Sequence, residues 1–220
     1  AKHNVAADLR GALRPRKTVH RAAVLEPEKV GQLLRDIDAY EGYFPLVCAL
    51  KLAPLVFTRP TELRAAQWKE FDLEAGEWRI PAERMKMRRQ HLVPLSRQAM
   101  SILRELQKCS GEGKYLFPSI RTEARSISDA TMLNALRRMG YQKHEMSVHG
   151  FRSIASTLLN ELGYNRDWIE RQLAHGEQDE VRAAYNYAEY LPERRKMMQA
   201  WADYLDGLRN TQQKRIREEA

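Results

Sequence analysis

From Tyr43 to Phe57 the chain reads YFPLVCALKLAPLVF, apolar nearly all round, with only Lys51 and Pro54 interrupting it. A helix at the surface of a globular protein carries one apolar stripe; one that is apolar on every side must be enclosed. The stretch is shorter than the ~20 residues that span a bilayer, so it reads as a helix buried in a protein core. Pro54 is expected to bend or end it. A chain of 220 residues can surround such a helix. At that length about two-thirds of the unfolded surface is buried on folding, and no covalent or metal staple is needed. Cys48 and Cys109 stand alone in the sequence and support neither a disulfide framework nor a zinc site. No signal peptide is read at the start, and a soluble cytosolic protein is expected.

The elements around that helix follow from local signals. Residues 1–24 lack helical periodicity and are expected to be a basic linker, the end of an upstream domain. A helix opens at Glu26-Pro27 with Val30, Leu33, Leu34 and Ile37 on one stripe. Thr58 is a candidate cap for a new helix at Pro60. The period then changes. Trp68–Leu73, Glu77–Ile80 and His91–Leu95 are strand candidates, the first two joined by a turn at Glu74-Ala75-Gly76. Ser96 caps an amphipathic helix through Ile102, Leu103 and Leu106. Beyond a loop holding Gly111, Gly113 and Pro118, helices are expected near 129–139, 148–162, 166–174, 178–188 and 193–208. The fold class is mainly α with one small antiparallel sheet, over residues 25–208, with a frayed tail at 209–220.

Charge is uneven. The whole chain carries 37 basic and 29 acidic residues, a net of +8. Residues 1–25 sum to +5, 26–83 to −4, and 84–104 to +6 with no acid among them. Such blocks are either solvated faces or the footprint of a polyanion, whose binding would weaken steeply with salt.

Several side chains suit phosphate chemistry. His149 and Arg152, three apart in SVHGFRSIAST with Ser147 as a cap, share one face of a helix's first turn, where an anion is favoured. Arg59, with Glu62 three residues on, is either a structural ion pair or a bidentate phosphate clamp. Lys86 lies in ERMKMRRQHLVPLS among Arg84, Arg88, Arg89 and His91. If that segment is a strand, Met85 and Met87 share one face and Lys86 and Arg88 the other. His175 closes a helix, and Tyr185, Tyr187 and Tyr190 follow it. Tyr185 and Tyr187 would sit ~200° apart on a helix, so both cannot face one site. A metal phosphodiesterase on His144, His149 and His175 is a poor reading, because carboxylates are missing at ligand spacing.

The ordered set Arg59 in TRPTELR, Lys86 in the hairpin, His149-Gly-Phe-Arg152, Leu173-Ala-His175 and Tyr185 resembles the tyrosine recombinases, the phage-integrase family, over roughly residues 25–205. The resemblance is greatest to integrases of prophages and genomic islands. It implies that Arg59 and Arg152 bind the scissile phosphate, with Glu62 supporting. Lys86 would be the general acid for the leaving 5′-oxygen, His149 would assist proton transfer, and His175 would hydrogen-bond the phosphate. Tyr185 would attack phosphorus to give a 3′-phosphotyrosine, and Arg84, Arg88, Arg89 and His91 would contact DNA. It also implies no metal, ATP or other cofactor. The partners would be double-stranded DNA attachment sites, with four protomers assembled on them. A directionality factor or a host DNA-bending protein could take part, in a bacterial cytoplasm and at the nucleoid. The fragment alone is expected to be monomeric and to bind DNA weakly without its upstream core-binding domain. A DNA-binding protein without catalysis on the same scaffold is the alternative, against which the complete six-residue set argues. Thr58 and Thr61 depart from the family pattern, which usually has glycines there, and Tyr187, twelve residues after His175, fits its spacing less well than Tyr185 at ten.

Overall fold

The structure is a computed structural model; it describes residues 22–175 and 190–218, with 212–218 as backbone. Helix α1 (Pro27–Ala39) starts on Pro27 and buries Val30, Leu33, Leu34 and Ile37, the stripe expected. Helix α2 (Phe44–Val56) is the central element, with ten of its thirteen residues buried. Pro54 falls inside its last turn, and the helix ends two residues later at Val56, followed by Phe57 as the C-cap in a left-handed conformation (φ 35°). The N-cap of α3 (Pro60–Arg64) is Arg59 and not Thr58: the Glu62 carboxylate accepts the Arg59 N–H at 2.8 Å. Thr58 is buried instead, and its hydroxyl meets no partner among the described residues.

A three-stranded antiparallel sheet follows, of β1 (Phe71–Asp72), β2 (Glu77–Ile80) and β3 (His91–Pro94), ordered 1-2-3. Phe71 pairs with Trp78 and Ile80 with His91. The stacked rings of Phe71 and Trp78, 5.0 Å apart, hold the register on the buried face. Residues 68–70, expected to belong to the first strand, form a 3₁₀ turn. The long connection from β2 to β3 is a 3₁₀ turn at Ala82–Arg84 and then bends, not a continued strand. Met85 is accordingly buried while Met87 is 54% exposed, so the two do not share a face.

Ser96 caps α4 (Arg97–Ser110) by accepting from the Ala99 N–H. A second hairpin, β4 (Pro118–Ser119) and β5 (Thr122–Ser126), occupies what reads in sequence as loop. Helices α5 (Asp129–Arg138), α6 (Gly150–Glu161) and α7 (Arg166–Gln172) complete the central part. Helix α8 (Leu191–Glu218) runs ten residues past the expected end at 208, so its tail is helical. Met197, Met198, Trp201 and Leu205 of α8 are buried in the chain's own core, where the Trp201 indole N–H donates to the Pro54 carbonyl at 2.9 Å. The α1–α8 crossing is close. A Cβ on Gly31 would lie 2.5 Å from the Leu208 carbonyl oxygen, so glycine is required there. Cys48 and Cys109 are unpaired, and no described helix is long and apolar enough to cross a membrane. The expected helix at 178–188 and the linker residues 1–21 lie outside the described residues.

Candidate active site

Two helix C-termini converge on one guanidinium. The last carbonyls of a helix have no partner within it and form the negative end of its dipole, so they attract cations. Arg152, in the first turn of α6 and only 4% exposed, donates to the Phe57 carbonyl at the end of α2 (2.8 Å) and to the Leu173 carbonyl at the end of α7 (2.8 Å). Its Nη2 also meets His175 Nε2 at 3.1 Å. Arg59 donates to the next carbonyl of the same α7 end, Ala174, at 3.1 Å, and to the Glu62 carboxylate at 2.8 Å. Phe57 and Ala174 (φ 50°) are both left-handed, a conformation costly for residues with a Cβ. Those strained turns present the two carbonyls to the arginines.

The electrostatics follow from this crowding. Burial first, and the nearby Arg59 charge second, push the Arg152 pKa down to about 10, still cationic at neutral pH. Glu62, 2% exposed, answers that charge; its two oxygens hold the Arg59 backbone N–H and guanidinium together. Glu62 therefore sets the orientation of Arg59 rather than merely neighbouring it.

The N-cap of α6 is His149 and not Ser147, although the Ser147 hydroxyl oxygen lies close enough to accept the Gly150 N–H at 3.2 Å. Ser147 also donates to the Ala22 carbonyl, so the incoming chain is docked beside the site. A Cβ on Gly150 would lie 2.7 Å from that same carbonyl, which explains the glycine in His149-Gly-Phe-Arg152. His149 is shared by two adjoining clefts. One, of about 550 Å³, includes Arg59 and Lys86; the other, of about 510 Å³, includes Arg152 and His175. The structure thus gathers Arg59, Glu62, Arg152 and His175 by hydrogen bonds and sets His149 and Lys86 around them. Tyr185, like Tyr187, lies outside the described residues.

Two residues expected at the DNA surface are turned inward. His91 is 6% exposed on β3, and its Nε2–H donates to the Gln172 carbonyl at 3.1 Å. Burial, and then the Arg194 charge, push its pKa down to about 3, so it is neutral. Arg84 is bound by the Glu70 carboxylate and the Glu62 carbonyl, tying the Lys86 connection to α3. Their acceptors are distant in sequence, so charge alone misassigned both. Arg88 and Arg89 are exposed as expected. Sequence reasoning missed Arg194, 1% exposed, which joins the Gln172 amide to the Leu92 carbonyl and so locks α8 to α7 and β3. It also missed a groove of about 580 Å³ beside the second hairpin, lined by Arg121, Arg125 and Arg138. Among the described residues no three His, Cys, Asp or Glu side chains group closely enough to hold a metal ion, which leaves His144, His149 and His175 without such a cluster.

Comparison with known proteins agrees with this geometry. Residues 23–191 match the model of the phage integrase family. The chain is 45% identical over 222 residues to the integrase of Enterobacteria phage P4, covering 94% of this chain and 50% of that protein. It is 43% identical over 179 residues to the prophage integrase IntA of Escherichia coli K12, covering 81% of this chain and 43% of IntA. The chain spans about half the length of the curated relatives it matches. Among solved structures, the integrase of mycobacterium phage Brujita superposes with a TM-score of 0.61 at 15% identity, over 85% of this chain and 59% of that one. A lambda integrase (75–356) dimer bound to a COC′ core site gives 0.57 at 18%, over 76% and 62%. The fold is that of these catalytic domains, and the matched residues contain the arginine pair and both flanking histidines: the chain belongs to the phage integrase family.

Proposed function

We propose that this chain is the strand-transfer domain of a site-specific integrase, which cleaves and rejoins DNA through a 3′-phosphotyrosine at Tyr185 during integration or excision of a mobile element. The observation that carries the reading is the pair of guanidiniums, Arg59 and Arg152, fixed on successive carbonyls at the end of α7, with His175 against Arg152. A phosphodiester is anionic and gains charge on its non-bridging oxygens as a nucleophile approaches. Donors fixed in advance lower that barrier without reorganising during the reaction. Lys86 protonates the leaving 5′-oxygen and His149 assists the proton transfer. The phenol of Tyr185, ordinarily with a pKa near ~10, needs the field of these cations to act at neutral pH. The phosphotyrosyl ester keeps the bond energy, so a 5′-hydroxyl of the partner strand can reverse the step.

Double-stranded DNA is the partner. Exposed Arg88 and Arg89, and the groove of Arg121, Arg125 and Arg138, contact its backbone, and four protomers assemble on the paired sites. The test is incubation in EDTA with nicked duplexes from the candidate attachment region, followed by denaturing electrophoresis. A covalent protein–DNA adduct is expected, and it is lost in Tyr185→Phe. Binding without an adduct would instead make the chain a DNA-binding protein; an adduct that persists would move the nucleophile to Tyr187 or Tyr190.

A further inference from the structure

The C-terminus of α7 ends in a Schellman motif. The His175 N–H bonds back to the Glu170 carbonyl at 3.1 Å and the Ala174 N–H to the Arg171 carbonyl at 3.1 Å, with Ala174 left-handed between them. That backbone geometry folds the side chain two positions past the cap onto the side chain in the helix's last turn, where apolar contacts usually form. Here the two residues brought together are a histidine and a carboxylate. His175 Nδ1 lies 2.7 Å from Glu170 Oε2, and Nε2, at the opposite side of the ring, lies 3.1 Å from Arg152 Nη2.

The hydrogens follow from valence. A guanidinium only donates, so Nε2 is the lone-pair end facing Arg152, and Nδ1 carries the proton given to Glu170. In that tautomer His175 has no hydrogen to offer toward the cleft. To hydrogen-bond a phosphate oxygen, Nε2 must first take a proton from solvent, and the resulting imidazolium stands against the Glu170 carboxylate, which balances the new charge.

We propose that Glu170 is the positioning residue of His175: it holds the Nδ1–H tautomer, aims Nε2 at the Arg152 side of the cleft, and supplies the negative charge that lets the ring become a cationic donor when a phosphodiester arrives. This rests on the strand-transfer reading only for its last part; the tautomer belongs to the chain without DNA. Glu170 is half-exposed, so its replacement leaves the core intact. Glutamine at 170 keeps an oxygen acceptor for Nδ1–H and removes the charge, whereas alanine removes both.

The experiment is nitrogen-15 NMR of the imidazoles of the 220-residue chain, with the His175 signals assigned through His175→Gln, beside adduct formation on a nicked duplex. The expected spectrum has a protonated Nδ1 and an unprotonated Nε2 in the native chain and in Glu170→Gln, and loses that preference in Glu170→Ala. Both variants are expected to form adduct about 10- to 100-fold more slowly, the order seen when the hydrogen-bond partner that orients a metal-bound histidine is removed. A native His175 protonated on Nε2 overturns the tautomer, and native rates in Glu170→Gln overturn the role of the charge. A native chain that binds the duplex but forms no adduct refutes the strand-transfer reading, while the spectrum still decides the tautomer.

Discussion

Arg152 and Lys86 belong to adjoining clefts that share His149, yet they are held in opposite ways. Arg152 is buried, with two backbone carbonyls and an imidazole nitrogen on its guanidinium. Lys86 is exposed, on a bent connection fastened to the rest of the protein two residues earlier, at Arg84. The contrast suits the two chemical tasks proposed for them. Charge on phosphate oxygens is best met by donors that do not move, because every reorientation of a dipole during the reaction raises the barrier. A general acid has to reach a leaving oxygen whose position depends on the DNA, and an arm on a connection can be placed by the substrate itself.

The largest expected effect comes from breaking the rigid side. In Arg152→Lys the charge remains but the planar fork is lost, and one ammonium cannot serve both the Phe57 and Leu173 carbonyls and still face a phosphate. Adduct formation is expected to fall roughly a thousandfold. Leaving a buried carbonyl without its donor costs ~1–3 kcal/mol, so the urea midpoint falls as well. Lys86→Ala should separate the two quantities. Cleavage falls ~10²- to 10⁴-fold, the usual worth of a positioned proton donor, and the urea midpoint stays in place. If Lys86→Ala destabilised the chain as much as Arg152→Lys, the contrast between a buried clamp and an exposed arm would be wrong.

The same contrast explains what could be read in advance. Helix α1 and the Ser96 cap of α4 rest on neighbours within a few residues, so periodicity and capping chemistry were enough. The β4–β5 hairpin was missed because four of the five residues in Thr122–Ser126 are exposed and none is a large apolar residue, leaving no alternation to detect. The arginine and histidine types of the site were legible as a pattern, but their partners were not. Arg84 and His91 sit in the most basic stretch of the chain and yet face inward, because Glu70 and the α7 backbone, brought there by the fold, offer acceptors. Glu170 was within reach of sequence reasoning: a carboxylate five residues before a histidine, across a helix end, is the spacing a Schellman motif closes.

His91 gives a smaller effect, which tests the anchoring of α7 on the rigid side. Unfolded, the ring has an ordinary pKa of 6.5; folded, it stays neutral until about pH 3. Below pH 6.5 the unfolded chain therefore binds a proton that the folded chain refuses, and stability falls by about 1.4 kcal/mol per pH unit until the folded pKa is reached. Between pH 6.5 and pH 5 the loss is ~2 kcal/mol. His91→Asn cannot titrate there, so its urea midpoint should decline less than the native one over that interval. Equal declines would mean that His91 is not the buried neutral group on which the α7 backbone rests.

The smallest effect lies at Ala174, whose left-handed backbone presents the carbonyl that holds Arg59. An alanine in that region is strained by ~1–2 kcal/mol through its Cβ, and glycine is not. Glycine in turn loses ~0.5–1 kcal/mol more entropy on ordering. Ala174→Gly should therefore stabilise the chain by a net ~0.5–1 kcal/mol in urea titration and leave adduct formation close to native, because the carbonyl stays where it is. A stability gain accompanied by a large loss of activity would show instead that the strain itself, and not only the direction of the carbonyl, sets the arginine pair. The clamp would then depend on backbone strain at Ala174 as well as on its hydrogen bonds.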